Sequence, residues 1–329
     1  MNVISKNRLL AAGASCVLAL GLGACGDDEE SGGDVEGPSG LTGTIAIDGS
    51  STVQPFAEAA AELFNEENPD VDVTVGAAGT SGGFEKFCAG ETDISNASRP
   101  IDEAEEVPVC EKEGVDFTEV QVAIDGLSVV TGPGLEISCL TTDQLAMLWS
   151  DDTVTNYSEL GEDAETGEPL PDVDISLYGP GTDSGTFDYF TDEINGEEGK
   201  SRSDYQASED DNQLVSGVAG DDAGLAYFGF TFYEQSADQL NLVSVDGGEG
   251  CVEPTPETIQ SGEYTPLSRP LFMYPSGQSL SDSENGKAVT GFMQFIVDNY
   301  DTIAEAALYV PMDETQAEEA ASALEGAGS

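Results

Sequence analysis

The sequence predicts an α/β fold with a ligand site at the turns that follow its strands, and three observations point to it. First, a strand, a turn rich in glycine and hydroxyl side chains, and a helix follow one another three times, at Ser51/Thr52, at Thr80/Ser81 and at Ser184/Thr186. Open α/β sheets bind ligands at such turns, outside the carboxyl ends of the strands. Second, the apolar run Val120 to Val130 is broken at Asp125-Gly126, as a strand continuing from one lobe into another would be. Third, 329 residues suffice for one large domain or for two lobes of ordinary size.

The third turn, Gly179 to Phe190, is the clearest of the set. Asp174 to Tyr178 alternates as a short strand before it, and Phe187, Phe190 and Ile194 recur at i, i+3 and i+7, the spacing of one helix face. Backbone N–H groups at a helix start lack internal partners, and the helix dipole favours an anion there. Ser184, Gly185 and Thr186 could therefore complete an oxyanion cradle. An ordinary Ser/Thr helix cap is the plainer reading of any one such turn; three in one chain favour the cradle.

The remaining elements follow in order. Thr44 to Asp48 reads as a strand that runs into Gly49-Ser50-Ser51-Thr52-Val53, and the next helix places Phe56, Ala60, Leu63 and Phe64 on one side. Val71, Val73 and Val75 alternate as a second strand, and a turn from Gly76 leads to a short helix begun by Phe84 and Phe87. Arg99 follows a strand-like stretch in Ala97-Ser98-Arg99-Pro100-Ile101. Its planar fork suits a tetrahedral oxyanion, although pairing with one of the many acids would explain it equally well. Leu145, Leu148 and Trp149 share a helix, with Trp149 a core residue, and the acidic stretch 151–172 reads as a surface loop. Asp210-Asp211-Asn212 precedes Leu214, Val215 and Val218 and gives a capped helix, and Gly224 to Phe232 is an aromatic strand region. Leu240 to Val245 reads as a second crossing between lobes, and Leu271 to Tyr274 as a strand returned to the first lobe. Val289, Phe292, Met293 and Ile296 define a helix face, and a last polar helix runs from about Glu314 to Leu324.

Composition excludes several classes. Acidic residues number 65 against 9 basic, a formal charge of -56. Nucleic acid is not expected as a partner, because neutralising phosphates needs many Lys and Arg; nor is electrostatic docking to an anionic membrane surface. The acidity reads as a solvated surface suited to a salty medium. Histidine is absent, which removes Ser-His-Asp and Cys-His catalysis and the usual zinc sites. No metal and no cofactor is expected.

Residues 1–25 read as a targeting segment: Lys6 and Arg8 precede an apolar stretch from Leu9 to Leu22, too short to span a membrane permanently. Its end, Leu22-Gly23-Ala24-Cys25, resembles a bacterial lipobox, whose cysteine is acylated. Residues 26–43 read as a flexible tether. Beyond the leader, Cys88, Cys110, Cys139 and Cys251 are an even number in an exported chain, which indicates disulfides. Of three connectivities, a local Cys88–Cys110 clasp and a long-range Cys139–Cys251 bridge are favoured, because the near pair flanks a single insertion-like loop.

Taken together, Gly49 to Val53, Gly79-Thr80-Ser81-Gly82-Gly83, Ala97 to Ile101, Ile124-Asp125-Gly126 and Gly179 to Phe190 resemble the phosphate-binding solute receptors of ABC transporters, in order and spacing, from about Thr44 to Tyr309. The resemblance implies a periplasmic-binding-protein-like type II fold whose two lobes, joined by two hinge strands, close over one inorganic phosphate. It implies a membrane permease and ATPase as partners, a location outside the cytoplasm with a lipid anchor in the cell membrane, and no enzymatic activity. The expected division is 44–126 and 242–329 in the first lobe and 127–241 in the second, with hinges near Ile124–Leu127 and Leu240–Val245. Carried over position by position, Ser51, Thr52 and the Val53 amide match the first phosphate loop, Ser81 with Gly82 the second, and Ser184, Gly185 and Thr186 the third.

Two departures shape the expected site. Better-known members carry an Asp where this chain has Ser98-Arg99, and an Arg where it has Pro180. Arg99 is therefore expected to supply the cationic fork, so that Arg99→Ala weakens binding far more than Arg269→Ala. Asp125, and after it Asp183, is expected to accept the proton that phosphate keeps and sulfate lacks, and Asp125→Asn to loosen that discrimination. The rival readings are a receptor for sulfate, molybdate or another oxyanion, an exported hydrolase with Ser184 as nucleophile aided by Asp183 or Lys200, and an acidic calcium-binding surface protein, for which no Asp-x-Asp-x-Asp-Gly loop is present.

Overall fold

Strand-forming β-branched runs and amphipathic helices alternate through most of the chain, and the folded elements keep that order. A computed structural model describes residues 40–327 apart from positions 151, 183, 209 and 282. The leader, most of the tether, Cys25 and Asp183 lie outside the described residues. In chain order the elements are β1 (Gly43–Gly49), α1 (Gln54–Glu67), β2 (Val71–Val75), α2 (Thr80–Cys88), β3 (Ile94–Ala97), α3 (Val107–Glu113), β4 (Val120–Thr131), β5 (Cys139–Thr141) and α4 (Thr142–Ser150). There follow β6 (Ser176–Pro180), α5 (Gly185–Asn195), β7 (Gln206–Ser208), α6 (Asp211–Ala219), β8 (Gly224–Gly229), α7 (Phe230–Glu234), β9 (Asn241–Asp246) and β10 (Cys251–Val252). The chain closes with α8 (Pro256–Gln260), β11 (Ser268–Pro275), α9 (Glu284–Asp298), α10 (Tyr300–Ala306) and α11 (Glu314–Ala327).

Among the described residues the strands form one path, β2-β1-β3-β11-β4-β8-β6-β7. Strand β4 belongs to both halves of it. Its first residues, up to Gly126 opposite Ser268, pair with β11, and from Leu127 onward it pairs with β8. The change of partner falls at the Asp125-Gly126 break, where the sequence placed a hinge. Parallel pairing of β1 with β2 and β3, and separately of β6 with β7 and β8, aligns the carboxyl ends within each half, and the antiparallel steps through β11 and β4 turn the β6 end toward those of β1 and β2.

The second crossing lies later than the sequence indicated. Strand β9 pairs with β4 at Val129–Thr131, with β5 and with β10, all in the second half. The chain returns only after Val252, through α8 into β11. Leu242, Val243 and Val245 look alike in a crossing strand and in a buried one, and pairing alone tells them apart. Gly224 to Phe232 is likewise not all strand: β8 stops at Gly229, and Phe230, 3% exposed, starts α7.

Packing follows the predicted faces. Phe64 of α1 meets Phe292 and Phe295 of α9 edge-on, with ring centroids 5.3 and 5.5 Å apart. Trp149 is fully buried and packs edge-on against Phe190, Tyr205 and Tyr227. A Cβ on Gly179 would lie 3.1 Å from the Trp149 ring, which explains a glycine where β6 passes that cluster. Both expected disulfides are present, Cys88–Cys110 joining α2 to α3 and Cys139–Cys251 joining β5 to β10.

Candidate functional site

The first turn is built by close approach. Gly49 has φ +140°, and a Cβ there would fall 2.1 Å from the Asn96 carbonyl oxygen, so only glycine lets β1 leave the sheet this way. Ser50 O then accepts from Val53 N (3.2 Å) and Gln54 N (3.1 Å), and α1 starts with Pro55 in its first turn and no side-chain cap. The Val53 amide, expected to face the ligand, is thus bonded within its own turn, and Val53 is wholly buried.

Asp48 fastens the second turn to the first. Its Oδ1 accepts from Gly49 N (2.8 Å) and Ala78 N (2.9 Å), and its Oδ2 accepts from Lys86 of α2. Burial alone would raise this carboxyl, but the Lys86 bond and the two amides outweigh it and hold the group below the ordinary Asp value. Helix α2 starts from Gly79, again with no side-chain cap. Thr80 Oγ1 pairs with Ser98 Oγ at 3.1 Å, and Ser81 Oγ accepts from Arg99 Nη2 at 2.9 Å.

The third turn comes from the second half of the sheet. Ser184 Oγ accepts from Thr186 N at 3.2 Å, so here the plain helix cap is what forms. Gly185 is the member that faces the cleft: a Cβ on it would lie 2.8 Å from Thr52 Oγ1. The absence of a side chain brings the start of α5 onto the first turn.

Arg269 sits where these parts meet. It stands opposite Asp125 at the start of β11, at the point where β4 leaves β11 for β8. Its Nη2 donates to Thr52 Oγ1 at 2.9 Å and to Asp125 Oδ2 at 3.4 Å, and its guanidinium carbon lies 3.6 Å from the centre of the Tyr189 ring of α5. Its Nε is buried without a hydrogen-bond partner. One cation thus touches the first turn, the shared strand and the second-half helix. Burial raises the Asp125 carboxyl, and the charge of Arg269 opposes that rise without cancelling it.

These groups line a cavity of about 380 Å³. Of the residues expected from sequence, Ser51, Thr52, Ser81, Gly82, Arg99 and Gly185 line it, whereas Val53, Asp125, Ser184 and Thr186 do not. Arg99 reaches the rim, but its fork grips Glu106 through Nη1 (2.9 Å) and Nη2 (2.8 Å) instead of standing open. Arg269 and Tyr189 were missed as site residues, as was an acidic wall of Asp188, Asp192, Glu193 and Glu198. The available signal for Arg269 was a scarce cation at the head of an apolar strand. Asp188 is raised first by burial and then by Glu198, and Glu193 by burial and then by Asp192, while Arg269 pulls both down. The cavity therefore combines hydroxyl and guanidinium donors with carboxyls, of which Asp188 and Glu193 are raised by burial. Such a site suits a small anion that is itself partly protonated.

A strand-shared α/β sheet with a polar cleft where the shared strand changes partners defines a class of solute-binding proteins. Residues 34–299 match the family model described as the PBP superfamily domain, and the chain belongs to that superfamily, in its PstS-type branch. Among its relatives is the protein SphX of Synechocystis sp., 39% identical over 302 residues, covering 91% of this chain and 84% of that one. The phosphate-binding protein PstS of Staphylococcus saprophyticus is 37% identical over 296 residues, covering 89% and 86%. A solved structure, described as a possible phosphate binding protein from Planctomyces limnophilus, superposes with a TM-score of 0.79 at 43% identity and covers 87% of this chain and 99% of its own.

Proposed function

We propose that this protein is a non-catalytic receptor that captures inorganic phosphate outside the cytoplasm and delivers it to the permease and ATPase of an ABC importer. The lipobox-like segment ending at Cys25 would anchor it to the cell membrane. The observation that carries the reading is Arg269, a largely buried guanidinium with an unpartnered Nε, bonded to Thr52, which itself lies against Gly185. A buried cation of this kind is stabilised by an anion that completes its bonds. The two halves sharing β4 close over that anion by bending where the strand changes partners. Surface acidity does not prevent this, because screened charges more than about 10 Å away act weakly beside short charge-assisted bonds.

Selectivity for phosphate rests on a carboxyl that can accept its remaining proton. Asp125, the first candidate from sequence, is 3% exposed, bound to Arg269 and set back from the cavity, whereas Asp188 lines the cavity in the first turn of α5. We assign the acceptor role to Asp188. Equilibrium dialysis with labelled phosphate tests both statements. The wild type should retain phosphate against excess sulfate, and Asp188→Asn should lose that preference while Asp125→Asn keeps it. Displacement by sulfate or molybdate from the wild type would favour a general oxyanion receptor instead.

A further inference from the structure

Arg99 is one of two cations at the cavity, yet its hydrogens are already committed. Nη1 donates to Pro100 O (3.0 Å) and Glu106 Oε2 (2.9 Å); Nη2 donates to Ser81 Oγ (2.9 Å) and Glu106 Oε1 (2.8 Å). A guanidinium has five N–H donors, so four are used and no two-pronged edge is left for a ligand. Phe84 lies beside the group, its ring centre 5.9 Å from the guanidinium carbon. Glu106 is itself fixed, since its Oε2 also accepts from Asp102 N at 2.8 Å. It precedes α3, which Cys88–Cys110 ties to α2.

What this assembly acts on is Ser81. A serine hydroxyl has one hydrogen to give and two lone pairs to receive. With one lone pair taken by a charged donor, the hydroxyl is oriented and its own hydrogen remains for an acceptor in the cavity. Thr80, which also lines the cavity, has its hydroxyl engaged with Ser98, so Ser81 is the first-turn hydroxyl of α2 that Arg99 holds. Because Glu106 matches the charge of Arg99, the pair contributes orientation rather than net positive charge.

We propose that Arg99 is a positioning residue, which strengthens anion binding only through Ser81 and makes no contact of its own with the ligand. This rests on the cleft being the oxyanion site described above. The test is a double-mutant cycle between Arg99→Met and Ser81→Ala, with the Kd of the full-length protein measured by titration with phosphate, sulfate and molybdate, and the cycle run on whichever binds. Arg99→Met is expected to weaken binding by about three- to tenfold, the range of one net hydrogen bond, and to have no further effect in the Ser81→Ala background. An equal loss in both backgrounds would show a direct or general role for Arg99 and overturn the proposal, as would no loss in either. A wild type that binds none of the three anions would overturn the receptor reading and this proposal with it. If Arg99→Met does not fold, Glu106→Gln carries the same cycle: its smaller loss must likewise vanish when Ser81 is absent.

Discussion

Arg269 and Arg99 show how differently two scarce cations are used within one cavity. Arg269 is largely buried, 19% exposed at its side chain, and its charge faces the cleft with Asp125 behind it. Arg99 is 42% exposed and neutralised by Glu106. We therefore propose the reverse of the sequence expectation that Arg99 matters more. Arg269→Gln should raise the Kd for phosphate on the order of 100-fold, about 3 kcal/mol for a charge-assisted contact, and Arg99→Ala by no more than about tenfold. Parallel titrations of the two variants check this, and a larger loss at Arg99 would restore the original order. The hydroxyl and glycine positions of the turns were legible because strand, Gly-rich turn and helix leave a local pattern. Arg269 and Asp188 were not, because each reaches the cavity through a long-range strand pairing or a helix docking that no local pattern records.

At the level of elements, Asp48 decides whether β1 and α2 stay joined. A Cβ on Gly83 would come 2.4 Å from the Gly49 Cα, so the two elements are in backbone contact and Asp48 bonds both. Its carboxyl lies below the ordinary value when folded. Its stabilising effect is thus fully present above the unfolded value of about 3.9 and is lost as pH falls through the lower folded value. Asp48→Asn should lower the thermal midpoint at pH 7, and the gap from wild type should narrow as the pH is taken below about 4. A gap that is constant with pH would mean the carboxylate charge is not what joins the elements. Helices α1, α5 and α9 were readable from their apolar faces. The place where the chain recrosses between halves was not, since β9 has the same alternation it would show in either half.

At the scale of the molecule, the long bridge Cys139–Cys251 spans 112 residues and lies wholly in the second half of the sheet, away from the cavity-lining residues. Replacing both cysteines by serine should cost about 2 to 5 kcal/mol of stability, visible as a lower denaturant midpoint. Phosphate affinity should stay within about threefold of wild type at temperatures where the variant is folded, a change smaller than one net hydrogen bond confers. A large loss of affinity in a folded variant would show that the bridge shapes the cleft after all. The overall architecture was legible because three turns and one interrupted apolar strand are enough to specify a sheet with a cleft at its switch point.

We propose that one anion is bound between the two halves by the first turn, the second turn, Gly185 and the buried charge of Arg269. Titration calorimetry of the wild type and of Arg269→Gln with phosphate addresses it most directly. The wild type should bind one phosphate per chain, and Arg269→Gln, folded by circular dichroism, should show little or no heat at the same concentrations. A wild type that takes up no phosphate, or an Arg269→Gln variant that binds it as tightly, would contradict the account.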